Sequence, residues 1–491
     1  MLFIYLIFGK MVFDFIPAYV NDEINYWHQI STFSQVGFSG GYYTTDEQPA
    51  SAQFTHFGSH GPTFPVLYGA LGYVFGWHSY SGLIFNLVLI TLALAWFAYI
   101  TQPSQEQNIT LLFFIGSFWA LLVFIPTNMQ ESLHHAIGIL LAGGFYILLN
   151  QQKYATYLYK LLFFIFILVA SFARLTWGFL LFPFFLLCFK NTTKLVIFMS
   201  IASTILIMAI MAWQYRYLNA PYPLLFFYLK IGDWFPPLPI AVVANIIRNL
   251  RWFHVGHGIE ILHRYQYVLV VMGLGWFIGS TLFGYFKQKI DFKHLFDEIN
   301  NVELLAFYNV AIMLIFQITL YRFAGDRDYR TLAPHLLLTL LLLIAFNRRK
   351  YIIRLFILSN LIFIGVFINN YRGMRTHYPF HFYQTVALPA GIGISNFFIP
   401  ENVDFPIKSH FVLFDVTLYN QADWDYKVPI HMENTHDNIY TVQWGEHGTM
   451  NLEYLTDTPI GNLYRNIDAD CQAYLLVPSF FAICPGLGYF D

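Results

Sequence analysis

Residues 82–100 read GLIFNLVLITLALAWFAYI, a stretch with no charged side chain and with the length that one helical crossing of a bilayer requires. Similar runs occur at about 64–76 (which residues 82–100 continue), 109–126, 133–149, 161–174, 176–189, 195–213, 266–286, 304–320, 331–346 and 351–369. With the N-terminal stretch they predict about eleven spans. No alternating ten-residue segments are present, which excludes a closed barrel and leaves an all-α polytopic bundle. The composition agrees: 57% of the 491 residues are hydrophobic, 20% aromatic and 11% charged, where a soluble domain has about 25% charged residues. A net charge of -2 without a basic face gives no footprint for nucleic acid.

Met1 to Ala18 carries Lys10 and Asp14 at i,i+4 spacing and lacks a small-residue cleavage site, so it reads as a short spanning helix with an internal ion pair rather than a signal peptide. A start further upstream would complete its length. Lys153, Lys160, Lys190, Lys194, Lys287, Lys289, Lys293, Arg348, Arg349, Lys350 and Arg354 fall in alternate connections, which are expected to be cytoplasmic. The opposite connections hold Arg174, Arg216, Lys230, Arg248, Arg251, Arg264, Arg322, Arg327 and Arg330, almost all arginine, the side chain suited to forked recognition of phosphate or carboxylate. On this topology the 10–65 loop, the 214–265 loop and the tail share the extracytoplasmic face of a bacterial inner or plasma membrane. Residues 1–370 form the transmembrane domain and 371–491 a small C-terminal domain, β-rich or α+β. Its stretches His410 to Val416 and Ile439 to Trp444 alternate as strands do. Cys471 and Cys484 lie in this tail, as a disulfide or as two thiols; Cys188 lies in a span.

Ionisable groups are costly where a membrane chain first leaves the bilayer, and the pair Asp22-Glu23 and His60 stand there. From Met11 to Gln152 there is no Lys or Arg, so acids in this region must find cations elsewhere in the fold or in a ligand. Phe15-Ile-Pro-Ala-Tyr-Val-Asn-Asp-Glu-Ile-Asn-Tyr-Trp27 and, after an amphipathic stretch, His60-Gly-Pro-Thr-Phe-Pro-Val-Leu-Tyr-Gly69 resemble the first extracytoplasmic loop of GT-C glycosyltransferases, which include protein O-mannosyltransferases and lipid A aminoarabinose transferases. The likeness covers residues 1 to about 190 and returns at Arg327-Asp-Tyr-Arg-Thr-Leu-Ala-Pro334, similar to an arginine-tyrosine-proline signature before a late span.

The resemblance implies an inverting transfer of a sugar from a polyprenyl phosphate to a hydroxyl of a glycan, lipid or protein. A hydroxyl is a weak nucleophile, so the reaction needs a carboxylate base; Asp22 is expected in that role and Glu23 as its orienting neighbour. The departing lipid phosphate needs fixed positive groups, for which His60, Arg327, Arg330, Arg248, Arg251 and Arg174 are candidates. Relatives often have two prolines where this chain has Gly61-Pro62. Glu131 begins a span at a place where related enzymes carry an acid. With Asp22, His134 and His135 it is a candidate for holding a divalent cation; a lone Glu-x-x-His is a weak metal signal. Each residue has a plainer role open to it: a helix cap for the acids, a turn contact for His60, lipid headgroup contacts for the arginines. Arg248 and Arg251 fall on one side of an amphipathic helix over 240–252, which suits the interface. A transporter or flippase of lipid-linked saccharides and a non-catalytic envelope scaffold are the alternatives. The transporter would need acids or helix breaks in mid-span, whereas the ionisable residues of this sequence gather at one face.

Overall fold

The computed structural model describes residues 26, 29–30, 33–34, 37–39, 42–43, 54–55, 57, 61–78, 80–150, 155–189, 193–218, 237–252, 267–276, 279, 301–319, 329–361, 365, 411–413, 430–444, 449–458, 461–468 and 474–478. The N-terminal stretch with Lys10 and Asp14, most of the 10–65 loop, and both Cys471 and Cys484 lie outside them.

The protein is mostly helical and ends in a small sheet. Its helices are α1 (Thr63–Phe75), α2 (Ser81–Thr101), α3 (Gln105–Ser117), α4 (Trp119–Phe124), α5 (Glu131–Leu149), α6 (Tyr157–Ala173), α7 (Leu181–Cys188), α8 (Thr193–Tyr217), α9 (Pro237–Trp252), α10 (Tyr267–Trp276), α11 (Asn301–Thr319), α12 (Tyr329–Ala345) and α13 (350–361). Four described helices are long and apolar enough to cross a membrane: Ser81–Thr101, Glu131–Leu149, Lys194–Gln214 and Asn301–Thr319. Shorter apolar helices stand at several other expected spans, among them 157–173, 267–276 and 329–345.

Two expected spans are interrupted. The run 109–126 breaks at Phe118 (φ -75°, ψ 83°), which separates α3 from α4, and Ser117 Oγ turns back to the Phe114 carbonyl at 3.2 Å. The run 176–189 opens as a tight 3-10 turn, Leu175–Leu180, before α7. Pro183 has no N–H to give to the carbonyl four residues back. That carbonyl, on Phe179, accepts the Tyr308 hydroxyl instead, at 2.9 Å.

Helix α5 is the hub. Of its spanning window 83% is buried inside the protein, against 17% for that of α8. It packs on α2 and α12 over most of its length, which small residues at helix contacts allow. A Cβ at Gly138 would stand 2.8 Å from the Pro334 carbonyl oxygen of α12, and Gly143 and Gly144 receive Trp96 and Phe163. Asn86 on α2 ties the α4–α5 connection to this hub. It donates to the carbonyls of Ile125 (2.9 Å) and Thr127 (2.8 Å) and accepts the Tyr68 hydroxyl of α1 (2.5 Å).

The charged groups sort to two ends. At one, Arg349 holds Glu303 through two contacts of 3.0 and 2.9 Å, Lys350 meets Glu106 at 2.9 Å, and Gln107 caps α12 at the Ile344 and Ala345 carbonyls. Lys350 holds the exposed Glu106 carboxyl below its ordinary range. At the other end lie Glu131, Arg174 and Arg330.

The tail forms a six-stranded sheet in the order β3-β8-β7-β6-β5-β4: Phe411–Leu413, Tyr474–Pro478, Gly461–Asn466, Thr449–Thr458, Ile439–Trp444 and Ile430–His436. Strands β4 to β8 run antiparallel to their neighbours and β3 pairs with β8 in parallel. Of the stretches expected as strands, Ile439–Trp444 is one, and Phe411–Leu413 is the described part of the other. The first loop adds a short antiparallel pair, β1 (Tyr42–Tyr43) with β2 (Phe54–Thr55).

The contact at Gly138 is a test of this packing. Gly138→Ala sets a methyl against backbone that cannot rotate away and is expected to cost about 1–3 kcal/mol. Gly116→Ala, where nothing lies within 4 Å, is expected to be neutral or slightly stabilising. Thermal unfolding of the two purified variants checks it; equal melting temperatures would refute the close α5–α12 approach.

Candidate active site

The three charged residues arrive from three elements. Glu131 is the first residue of α5, where the helix dipole favours an acid, and its side chain is 1% exposed. Arg174 caps α6 in extended backbone (φ -156°, ψ 118°), so the chain reverses there and brings Nη2 to 3.3 Å from Glu131 Oε1. Arg330, in the first turn of α12, places Nε 3.6 Å from the same oxygen. Two guanidinium groups converge on one carboxylate, and the arginine side chains, 12% and 16% exposed, are less deeply buried than the acid. Such a group suits an anion approaching at the bundle's end.

One turn further in, a polar string joins the same elements. The Trp177 indole N–H donates to His134 Nδ1 at 3.1 Å, and its ring lies on that of His335 with centroids 4.1 Å apart and planes at 22°. An indole only donates, so His134 Nδ1 is unprotonated and the neutral ring carries its proton on Nε2. Asn309 Nδ2 donates to the His335 carbonyl and to Thr339 Oγ1, both at 2.9 Å, which leaves Asn309 Oδ1 as an acceptor. It therefore takes the proton of His335 Nδ1 at 2.8 Å, and His335 Nε2 accepts the Thr176 hydroxyl at 3.0 Å. Several buried polar atoms beside this string have no hydrogen-bond partner: Glu131 Oε2, Ser132 Oγ, His134 Nε2, both ring nitrogens of His135 and the Tyr329 hydroxyl. Tyr329 stacks on Trp119 at 5.3 Å.

Of the residues singled out in the sequence, the structure brings Glu131, Arg174 and Arg330 together. Asp22, Glu23, His60 and Arg327 lie outside the described residues, as does the side chain of Arg251. Arg248 sits on α9 with its guanidinium on Asn245. That helix docks on the end of α11 through Asn245 to the Thr319 carbonyl (3.0 Å) and Asn249 to the Ile318 carbonyl (2.9 Å). Among the described residues no group of three His, Cys, Asp or Glu stands ready for a metal ion. His134 is not set up as a ligand, because the nitrogen that lacks a proton is engaged by Trp177.

α3 and α4 are separated at Phe118, and His134, His135 and His335 are fully buried. His335, Trp177, Asn309 and Tyr329 were not legible as site residues. His335 had a signal, since it directly follows the Arg327–Pro334 run and stands in an apolar span, where an ionisable residue is rare.

No protein-family model matches the chain, and no curated protein does. Among solved structures it is similar to the crystal structure of the Archaeoglobus fulgidus oligosaccharyltransferase in the apo form, with 14% identity, a TM-score of 0.45, and coverage of 84% of this chain and 61% of that one. It is also similar to the same enzyme tethered with an acceptor peptide containing the NVT sequon via a disulfide bond, with 14% identity, a TM-score of 0.42, and coverage of 84% and 60%. The chain spans about three fifths of the length of these structures. A likeness this distant transfers no activity and no residue role.

The ion cluster makes a stability prediction. Glu131→Gln keeps the shape but leaves two guanidinium groups facing each other, and is expected to cost about 3 kcal/mol of unfolding free energy. Arg174→Gln in the Glu131→Gln background should cost clearly less than Arg174→Gln alone, a coupling of about 1 kcal/mol or more. Denaturant titration of the four proteins reads this, and strictly additive losses would show that the pair is not coupled.

Proposed function

We propose that the protein is a membrane glycosyltransferase that moves a sugar from a polyprenyl-phosphate donor to a hydroxyl acceptor with inversion, on the extracytoplasmic side. The observation that supports this most is the Glu131–Arg174–Arg330 cluster, with two arginines at one end of an apolar bundle. A lipid phosphate whose chain lies among such helices presents its charge at that depth, and fixed guanidinium groups stabilise the charge that grows on it as the sugar leaves. The resemblance of residues 15–27, 60–69 and 327–334 to GT-C glycosyltransferases supports the same reading.

In the reaction, the Asp22 carboxylate takes the proton of the acceptor hydroxyl while that oxygen bonds to the anomeric carbon. The bond from the anomeric carbon to the phosphate oxygen breaks, its electron pair leaves on the polyprenyl phosphate, and attack from the opposite face inverts the centre. Glu23 orients the acceptor. Arg174 and Arg330, aimed by Glu131, receive the phosphate together with His60 and Arg327, and Arg248 and Arg251 are further candidates for that role. A glycan, a lipid or a protein serves as acceptor, and a divalent cation would have to draw on Asp22 or on another residue beyond the described ones.

Transport of a lipid-linked saccharide is the second reading, and the helix break at Phe118 beside His135 is what favours it (ring centroids 6.0 Å apart). A panel of radiolabelled polyprenyl-phosphate sugars separates the two. Acceptor-dependent sugar release by the purified protein should fall by about 10²–10⁴ in Asp22→Asn and by about 10² in Arg330→Ala, and a chelator arm reads metal dependence. Proteoliposomes that move saccharide lipids while no donor is consumed would put transport in place of transfer.

A further inference from the structure

Glu131, Arg174 and Arg330 come from three separate elements, and a contact of 3.3 Å and another of 3.6 Å to one oxygen do not by themselves hold those elements in register. The two residues that follow Leu175 in the turn after Arg174 reach both partner helices. Trp177 donates to His134, one turn along α5 from Glu131, and lies flat on His335, five residues along α12 from Arg330. Thr176 bonds to the edge of the same imidazole. Asn309 holds the opposite edge and also takes hold of the α12 backbone at the His335 carbonyl.

We infer that His335 is a positioning residue: the strut Thr176–Trp177–His335–Asn309 sets the separation of Arg174 and Arg330 across Glu131, and so shapes the anion site on which the proposed function rests. The imidazole is fully buried, both nitrogens are engaged, and one face is covered by the indole. Each contact has a direction, since Nδ1–H gives to Asn309 and Nε2 receives from Thr176, so the ring has one orientation. An apolar side chain of similar volume would fill the space but would leave the Thr176 hydroxyl and Asn309 Oδ1 without partners, and the turn that carries Arg174 would lose its tether to α12. Glutamine can accept from Thr176 through its carbonyl oxygen. His335 touches neither Arg174 nor Glu131 in this arrangement; it acts through the turn.

The test compares His335→Leu, His335→Gln, Arg174→Ala and the double variant Arg174→Ala/His335→Leu in nanodiscs, with undecaprenyl phosphate as the probe and undecaprenol as its uncharged control. In His335→Leu, hydrogen exchange should rise across 174–180 and stay unchanged in 81–101 and 105–117. Binding of the phosphate should weaken on the order of tenfold or more, as in Arg174→Ala, with no further loss in the double variant. His335→Gln should restore both readouts. Exchange that is unchanged, or raised through the whole bundle, or binding losses that multiply in the double variant, would overturn the inference. A wild-type protein that binds alcohol and phosphate equally would overturn the anion site and with it the functional half of the inference, and exchange alone would then decide the strut.

Discussion

Burying a carboxylate among apolar helices is costly unless cations are brought to it, and the Glu131 side chain, 1% exposed, has two arginines set against it. Glu131 stands in a stretch from Met11 to Gln152 without a single Lys or Arg. Its partners therefore come from far along the chain, Arg174 from the reversal after α6 and Arg330 from the start of α12. Bringing both to one oxygen draws three elements to a common point at one end of the bundle. The arginines remain partly exposed while the acid is closed, so the carboxylate serves as an internal support on which both guanidinium groups are set.

The same three elements are joined again one turn deeper, by groups that are polar but uncharged. Trp177, His134, His335, Thr176, Asn309 and Thr339 satisfy one another in a fixed sense of donation. A low dielectric strengthens such a string and makes any missing partner costly, which turns it into a register for the helices that carry it. Gly138 lets α5 come close enough to the Pro334 carbonyl for this to occur. At the far end of the bundle, Arg349 with Glu303 and Lys350 with Glu106 fasten α11 and α3 to the turn after α12, so the ends of the helices are tied at both levels.

The chemistry proposed for this end needs little from the protein beyond placement. A phosphate that leaves a sugar requires positive groups that are already oriented, and two arginines aimed by one acid meet that need without reorganising. Of the buried polar atoms without a hydrogen-bond partner, Glu131 Oε2, Ser132 Oγ, His134 Nε2 and the His135 nitrogens lie in the first turns of α5, next to the cluster, while others, such as Trp77 Nε1, lie elsewhere.

The sequence by itself determined that this is a bundle of apolar helices followed by a strand-rich tail, because span length and strand alternation are local properties of composition and period. It also placed Glu131, Arg174 and Arg330 on one face, since the order of spans and the positions of charges are enough for that. Only the tertiary structure decided that these three meet, that α9, which carries Arg248, docks on the end of α11, and that Trp177, His335 and Asn309 belong to the site. Aromatic and amide side chains within apolar runs look alike in sequence whether they face lipid, core or a polar partner. The interruptions at Phe118 and before Pro183 were hidden for a related reason: hydropathy records that a segment is apolar, while a break depends on whether Ser117 and Tyr308 can take up the carbonyls that the helix lets go.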